Sequence, residues 1–198
     1  MRAGLLALAL VMLSAVSASA EWQIRPFFGV SFAGQTTILD LENAAGTPNP
    51  VIGADWALLG NVFGVEADFG FAPGFFQTGD QQLVRSNSVT MLTGNIILSA
   101  PRQRTRYTLG PYFVVGGGLL HAHIDDVSDV LPVSSTLPAM DIGGGVTGFL
   151  TERIGLNWEA RYFTSVGEGK VRGSSIGPQE AAEQLSFWRA SMGFVIRY

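Results

Sequence analysis

Apolar residues recur at every second position along most of this chain. The last segment is the clearest case. Trp188, Ala190, Met192, Phe194, Ile196 and Tyr198 fall on one parity, and Arg189, Ser191, Gly193, Val195 and Arg197 on the other. A strand sends successive side chains to opposite faces, so this segment has one greasy face and one small or polar face. Ile154, Leu156, Trp158, Ala160 and Tyr162 repeat the rule against Gly155, Asn157, Glu159 and Arg161. So do Phe63, Val65, Ala67, Phe69 and Phe71 against Gly64, Glu66, Asp68 and Gly70. Similar alternation runs from Trp22 to Phe32, from Tyr107 to Leu119, where Tyr112 and Val114 interrupt the second face, and from Met140 to Leu150. Weaker versions cover Val51 to Leu59 and Val89 to Ser99. The pattern predicts eight strands, near 22–33, 51–59, 63–72, 88–99, 106–120, 138–150, 153–165 and 186–198.

The connections alternate in length. Gly60-Asn61-Val62, Pro101 to Thr105 and Thr151-Glu152 are short. Gly34 to Pro50, Pro73 to Asn87, His121 to Leu137 and Val166 to Leu185 are long and hold most of the Asp, Gln, Ser and Pro. Short turns at one end and long loops at the other are the layout of an outer-membrane barrel. An even strand count places both chain ends at the turn end.

Residues 1–20 read as a secretory signal peptide, leaving one barrel domain at 21–198. Arg2 gives the positive start, Leu5 to Val16 the apolar core, and Ala18-Ser19-Ala20 an A-x-A cleavage site. That core is short of the roughly 20 residues of a membrane-spanning helix. The later apolar run from Leu109 to Leu120 is broken by Gly110, Pro111, Gly116, Gly117 and Gly118, which weaken a helix. Composition narrows the classes further. Charged residues make up 14% of the chain, against about 25% in soluble domains. Hydrophobic residues make up 47%, which excludes intrinsic disorder. No cysteine is present, so no disulfide, thiol nucleophile or Cys-ligated metal is expected. A net charge of −4 gives no footprint for nucleic acid.

The faces decide between a soluble barrel with a greasy inside and a membrane barrel with a greasy outside. The charge-bearing parity is rich in Gly, Ser, Ala and Thr, which suit a lumen that side chains can just fill. Trp22, Phe27, Phe63, Tyr107, Trp158, Trp188 and Tyr198 gather toward strand ends, as in the aromatic girdles of membrane barrels. The expected fold is therefore all-β: an eight-stranded antiparallel up-and-down transmembrane β-barrel.

The leader, the eight amphipathic strands and the final Ser186-Phe-Trp-Arg-Ala-Ser-Met-Gly-Phe-Val-Ile-Arg-Tyr198 resemble small Gram-negative outer-membrane barrels, the group of the OmpA transmembrane domain, OmpX, OmpW and the opacity-type proteins. Tyr107-Thr-Leu-Gly-Pro-Tyr-Phe-Val-Val-Gly-Gly-Gly118 is similar to a PYxGxG strand of that group. The resemblance implies residence in the cell outer membrane, with its lipid and lipopolysaccharide as partners. It also implies that the outer-membrane assembly machinery reads the C-terminal strand. No peptidoglycan-binding domain follows Tyr198 here, so a cell-wall anchoring role is not implied.

Candidate chemistry is sparse. By parity Arg25, Asp55, Glu66, Asp68, Asp141, Glu159, Arg161, Arg189 and Arg197 point inward, four arginines against five carboxylates. Asp141, Glu159, Arg161 and Arg189 lie on three consecutive strands and are expected to form one cluster. Such a set is either a structural plug or a gate that re-pairs to pass ions. His121 and His123, followed by Asp125, Asp126 and Asp129, have ligand types that can bind a metal. Ser134, Ser135, Thr164 and Ser165 are the hydroxyls available to a hydrolase with those histidines, but they form no recognisable motif. No catalytic, cofactor-binding or metal residue is assigned, and no cofactor is expected. The expected function is non-enzymatic: membrane integrity or surface contact through the loops. The alternatives are a small channel for ions or a narrow apolar solute, and a lipid A-modifying hydrolase.

Overall fold

The computed structural model describes residues 21–36, 48–75, 84–100, 109–126, 133–166 and 184–198. The proposed leader, the expected turn Pro101 to Thr105, segments 37–47, 76–83, 127–132 and 167–183 of the long connections, and Tyr107 lie outside the described residues. The strands are β1 (Glu21–Thr36), β2 (Asn49–Leu59), β3 (Phe63–Pro73), β4 (Val84–Ser99), β5 (Leu109–Asp126), β6 (Val133–Phe149), β7 (Ile154–Ser165) and β8 (Leu185–Arg197). Each pairs antiparallel with the next, and β8 returns to β1, so the sheet is a closed up-and-down barrel. Closure removes the sheet edges that would otherwise leave backbone groups unpaired. Both described chain ends meet at the turn end, where the Tyr198 N–H donates to the Trp22 carbonyl at 3.0 Å.

The seam between β1 and β8 shifts register between Phe32 and Gln35, where Ala33 takes a left-handed conformation with φ 50°. The extra residue of such a bulge increases local twist where the barrel must close. At the turn end, Gly60 N–H reaches the Phe63 carbonyl at 2.8 Å, and Thr151 Oγ1 accepts the N–H of Ile154 at 3.0 Å. At the loop end, Gly74 has φ 67°, a conformation glycine adopts without steric cost.

The period-two reading places the faces correctly. Phe28, Ile52, Trp56 and Phe194 lie outside and are 57–58% exposed, whereas the arginines Arg161 and Arg189 are fully buried inside. Two aromatic pairs mark the ends of this apolar outer belt. Trp22 stacks on Trp56 at 5.1 Å near the turns, and Tyr162 meets Trp188 at 5.3 Å near the loops. From Trp22 to Phe32, the register partner of Trp188, the strand runs roughly 33 Å at about 3.3 Å per residue. A tilt of about 40° leaves roughly 25 Å of height, the thickness of a barrel's lipid-facing band.

Two expectations need correction. Phe27 is not a girdle residue: its parity is inward, it is 7% exposed, and it lies under the Arg189 guanidinium. The strands β4, β5 and β6 are longer at the loop end than alternation predicts. Their outward positions turn polar above Leu92, Leu119 and Met140, at Thr90, Ser88, His121, His123 and Thr136, yet the ladder pairing continues through them. Hydrophobic alternation ends where the apolar belt ends; backbone pairing does not.

The greasy outside makes a test. Ile96 is 50% exposed within the belt. Ile96→Arg should reduce the folded fraction in lipid vesicles, because Arg on the lipid face is destabilising, by about 2–4 kcal/mol at the midplane and less toward the interfaces. A water-facing position would accept Arg with little change, and unchanged folding would contradict a lipid-facing belt.

Candidate functional site

The lumen is filled in three layers. Toward the loops it is apolar: Phe163 stacks on Phe187 at 5.2 Å, Phe75 meets Phe187 edge-on at 4.9 Å, and Val89, Met91, Leu120 and Leu137 complete the packing. Toward the turns a smaller cluster of Ala57, Ile97, Val114 and Tyr112 closes the other end. Tyr112 and Val114, which interrupt the small-residue face in the sequence, are therefore lumen filling.

Between these layers lies an ionic network. Arg161 on β7 contacts carboxylates from three strands. Its Nη2 donates to Glu66 Oε1 and to Glu159 Oε2, each at 2.6 Å, its Nε donates to Glu159 Oε1, and its Nη1 lies 3.4 Å from Asp141 Oδ2. Arg189 on β8 grips Asp68 with both terminal nitrogens, Nη1 at 3.0 Å from Oδ1 and Nη2 on Oδ2. The same Nη2 also donates to Glu159 Oε1 at 3.2 Å. This two-pronged contact is the arrangement a planar guanidinium favours. The flat faces of Arg189 are covered as well, by Phe27 at 4.5 Å and Phe163 at 5.0 Å. Arg25 on β1 donates to Gln23 Oε1 at 2.9 Å and Glu66 Oε2 at 3.4 Å, and lies over the Tyr112 ring.

Neutral groups extend the network. Tyr112 donates to Glu159 Oε2 at 2.7 Å and accepts from Asn157 Nδ2 at 2.9 Å. Thr147 donates to Asn157 Oδ1 at 2.9 Å, and Asn95 Nδ2 donates to Glu66 Oε1 at 3.1 Å. Glycines on β6 make the space. A Cβ on Gly143 would fall 2.7 Å from Arg161 Cγ, and one on Gly145 would fall 2.6 Å from the Tyr112 hydroxyl oxygen. The glycine-rich inner face is thus room for long polar side chains.

The expected cluster of Asp141, Glu159, Arg161 and Arg189 is present, and β3 adds Glu66 and Asp68 to it. Arg197 does not join. Its parity is inward, but it sits at the turn-end rim, where it donates to the Glu152 carbonyl, lies 3.4 Å from Glu21 and packs over Phe149. Sequence reasoning did not bring in Gln23, Tyr112, Asn95, Thr147 and Asn157. Each lies on the inward parity, which is the signal that could have found them.

Of the rim candidates, Ser135, Thr164 and Ser165 stand apart from the two histidines. His121 and His123 stand in β5 on the outer face, above the apolar belt, and His121 Nδ1 pairs with Thr136 Oγ1 at 2.8 Å. Ser135 is buried on the lumen side, across the sheet wall from them. Ser165 Oγ accepts the Leu185 N–H at 2.9 Å, and Thr164 is on β7, separated from the histidines by β6. His123 faces Ser134 in the ladder, and Asp125 and Asp126 end β5.

The barrel matches solved structures throughout. Neisserial surface protein A aligns over 91% of this chain and 100% of its own, with 12% identity and a TM-score of 0.65. The outer membrane protein OprG from Pseudomonas aeruginosa aligns over 90% and 96%, with 15% identity and a TM-score of 0.60. Ail, the attachment invasion locus protein of Yersinia pestis, solved with the heparin analogue sucrose octasulfate, aligns over 90% and 100%, with 11% identity and a TM-score of 0.53. The fold is that of the small outer-membrane barrels. No family profile matches the sequence, and no curated protein does.

Arg161 is the residue on which most of the network converges. Arg161→Met should lower the urea midpoint of the folded barrel strongly, since removing one side of a buried pair typically costs about 3–5 kcal/mol. A midpoint equal to that of the wild type would show that these ions do not brace the lumen.

Proposed function

We propose that this chain is exported behind a signal peptide at residues 1–20, assembles in the cell outer membrane, and works there as a non-enzymatic, non-conducting barrel that supports the membrane and makes surface contacts through its loops. The observation carrying this reading is the closed lumen. An ionic layer lies between two apolar layers, and an eight-stranded interior leaves little bore beside its side chains. A gate would have to break several buried pairs at once and admit water past Phe163 and Phe187. The plug reading is therefore favoured over the channel.

The loop segments 37–47, 76–83, 127–132 and 167–183 carry seven acidic residues, including Asp40, Glu42, Asp80 and Glu168, against Lys170 and Arg172. Ail was solved with a sulfated sugar, but an acidic loop surface repels polyanions, so that ligand class is not carried over. Divalent cations bridging the acidic loops to lipopolysaccharide phosphates fit the charge better, and His121 and Thr136 stand above the apolar belt near that headgroup level.

Planar-bilayer recording tests the plug directly. Purified barrel should give no unitary conductance. Discrete openings in the wild type would replace this reading with the channel.

The C-terminus gives a separate test of export and assembly. Tyr198 is 80% exposed and contributes one backbone bond to the β1 seam. Deleting it should leave refolding in detergent nearly unchanged while reducing outer-membrane assembly in cells. Normal cellular assembly would leave Tyr198 as a rim residue with no role as a signal to the assembly machinery.

A further inference from the structure

We propose that His121 and His123 form a two-imidazole site, on the outer wall of the barrel above the apolar belt, for one late first-row divalent ion of the copper or zinc class. Both histidines stand in β5, two residues apart. Ala122 between them is buried toward the lumen, so the two imidazoles share the opposite, outward face, where both are half-buried. They are the chain's only histidines, and the chain has no cysteine.

The strand sets the spacing. Alternate Cα atoms of a strand lie roughly 6.7 Å apart. Two nitrogens on one ion, each at about 2.0–2.1 Å, lie at most roughly 4.2 Å apart. Two imidazoles on one strand face close that difference by leaning together. They are the strand counterpart of two histidines at i and i+4 on one helix face, which bind ions of the same class. The ladder behind them is continuous. Thr90 on β4 and Thr136 on β6 flank His121, and Ser88 on β4 stands beside His123. These small hydroxyl residues leave room for an ion and its waters.

One hydrogen bond orients the site. His121 Nδ1 lies 2.8 Å from Thr136 Oγ1. A metal on Nε2 requires the proton to sit on Nδ1, and Thr136 Oγ1 is then its acceptor. Metal-binding histidines are commonly held this way, with the second ring nitrogen donating to a fixed oxygen that sets tautomer and ring angle. Each imidazole has two nitrogens, so one can be held by a neighbour while the other binds the ion. The ligand type selects the metal. Imidazole suits copper, zinc and nickel, whereas calcium and magnesium take oxygen. Copper(II) stands highest in the affinity series. Two protein ligands leave the remaining positions to water, as in open rather than closed structural sites.

The experiment folds residues 21–198 into detergent and titrates copper(II). Equilibrium dialysis reads affinity, and electron paramagnetic resonance at less than one copper per chain reads the ligands. Wild type should bind one copper per chain and show coupling to two imidazole nitrogens. His121→Ala and His123→Ala should each leave one imidazole nitrogen on the copper and weaken binding roughly 100-fold, because each removes the intramolecular second contact. Thr136→Val keeps both ligands and should weaken binding about ten-fold or more through His121. A wild-type spectrum with one imidazole nitrogen or none overturns the proposal, and so does an affinity that neither histidine substitution changes. An affinity unchanged in Thr136→Val overturns that hydroxyl as the group orienting His121. The chain has two histidines in all, so the wild-type spectrum decides the matter even where a variant fails to fold.

Discussion

The grip of Arg189 on Asp68, with Arg161 on Glu66 beside it, is the constraint on which the rest of the barrel's interior depends. The arginines come from β7 and β8, and the carboxylates from β3 on the facing wall. These pairs are cross-braces, not neighbours along one ladder. Taking such charges out of water is costly, and the cost is recovered only when geometry and additional hydrogen bonds are good. The surrounding details follow from that requirement. Gly143 and Gly145 clear space for Arg161 and Tyr112, Asn95 and Tyr112 use carboxylate lone pairs, and Phe27 and Phe163 cover the flat faces of Arg189. The apolar layers at both ends exclude water that would otherwise screen the pairs.

The outside is shaped by the opposite need. Lipid offers no hydrogen bonds, so the backbone must satisfy itself through closure, and the surface must be apolar over the height of the bilayer. The belt between the Trp22–Trp56 and Tyr162–Trp188 pairs meets this need. Above it the same strands carry His121, Thr136 and Ser88 outward. One sheet thus passes from lipid to water without a break in its ladder.

The sequence made the fold legible because period-two alternation reports directly on which solvent each face meets. Eight strands, their order and the inverted faces could all be read from it. The upper reaches of β4, β5 and β6 could not, since both faces there become polar or mixed and alternation carries no information. The ionic site was half legible. Parity put Asp55, Glu66, Asp68, Asp141, Glu159, Arg161 and Arg189 inside, but it gives no height along the barrel and no contact across it. For that reason parity groups Arg197 with the lumen although it lies at the rim, and the contact of Arg189 on β8 with Asp68 on β3 across the lumen is not visible in it. Phe27 shows the same limit from the other side, because a lone inward aromatic reads as a girdle residue until the arginine above it is located.

The central claim is that specific charge pairing across the lumen, not apolar filling alone, holds the barrel together. A double-mutant cycle on Arg189 and Asp68, using Arg189→Met, Asp68→Asn and the pair, measured by reversible urea unfolding in lipid vesicles, addresses it most directly. The account predicts a coupling energy at the upper end of the range for contacting residues, about 2–3 kcal/mol, with the double variant more stable than the sum of the singles implies. Additive effects, with a coupling energy near zero, would contradict it.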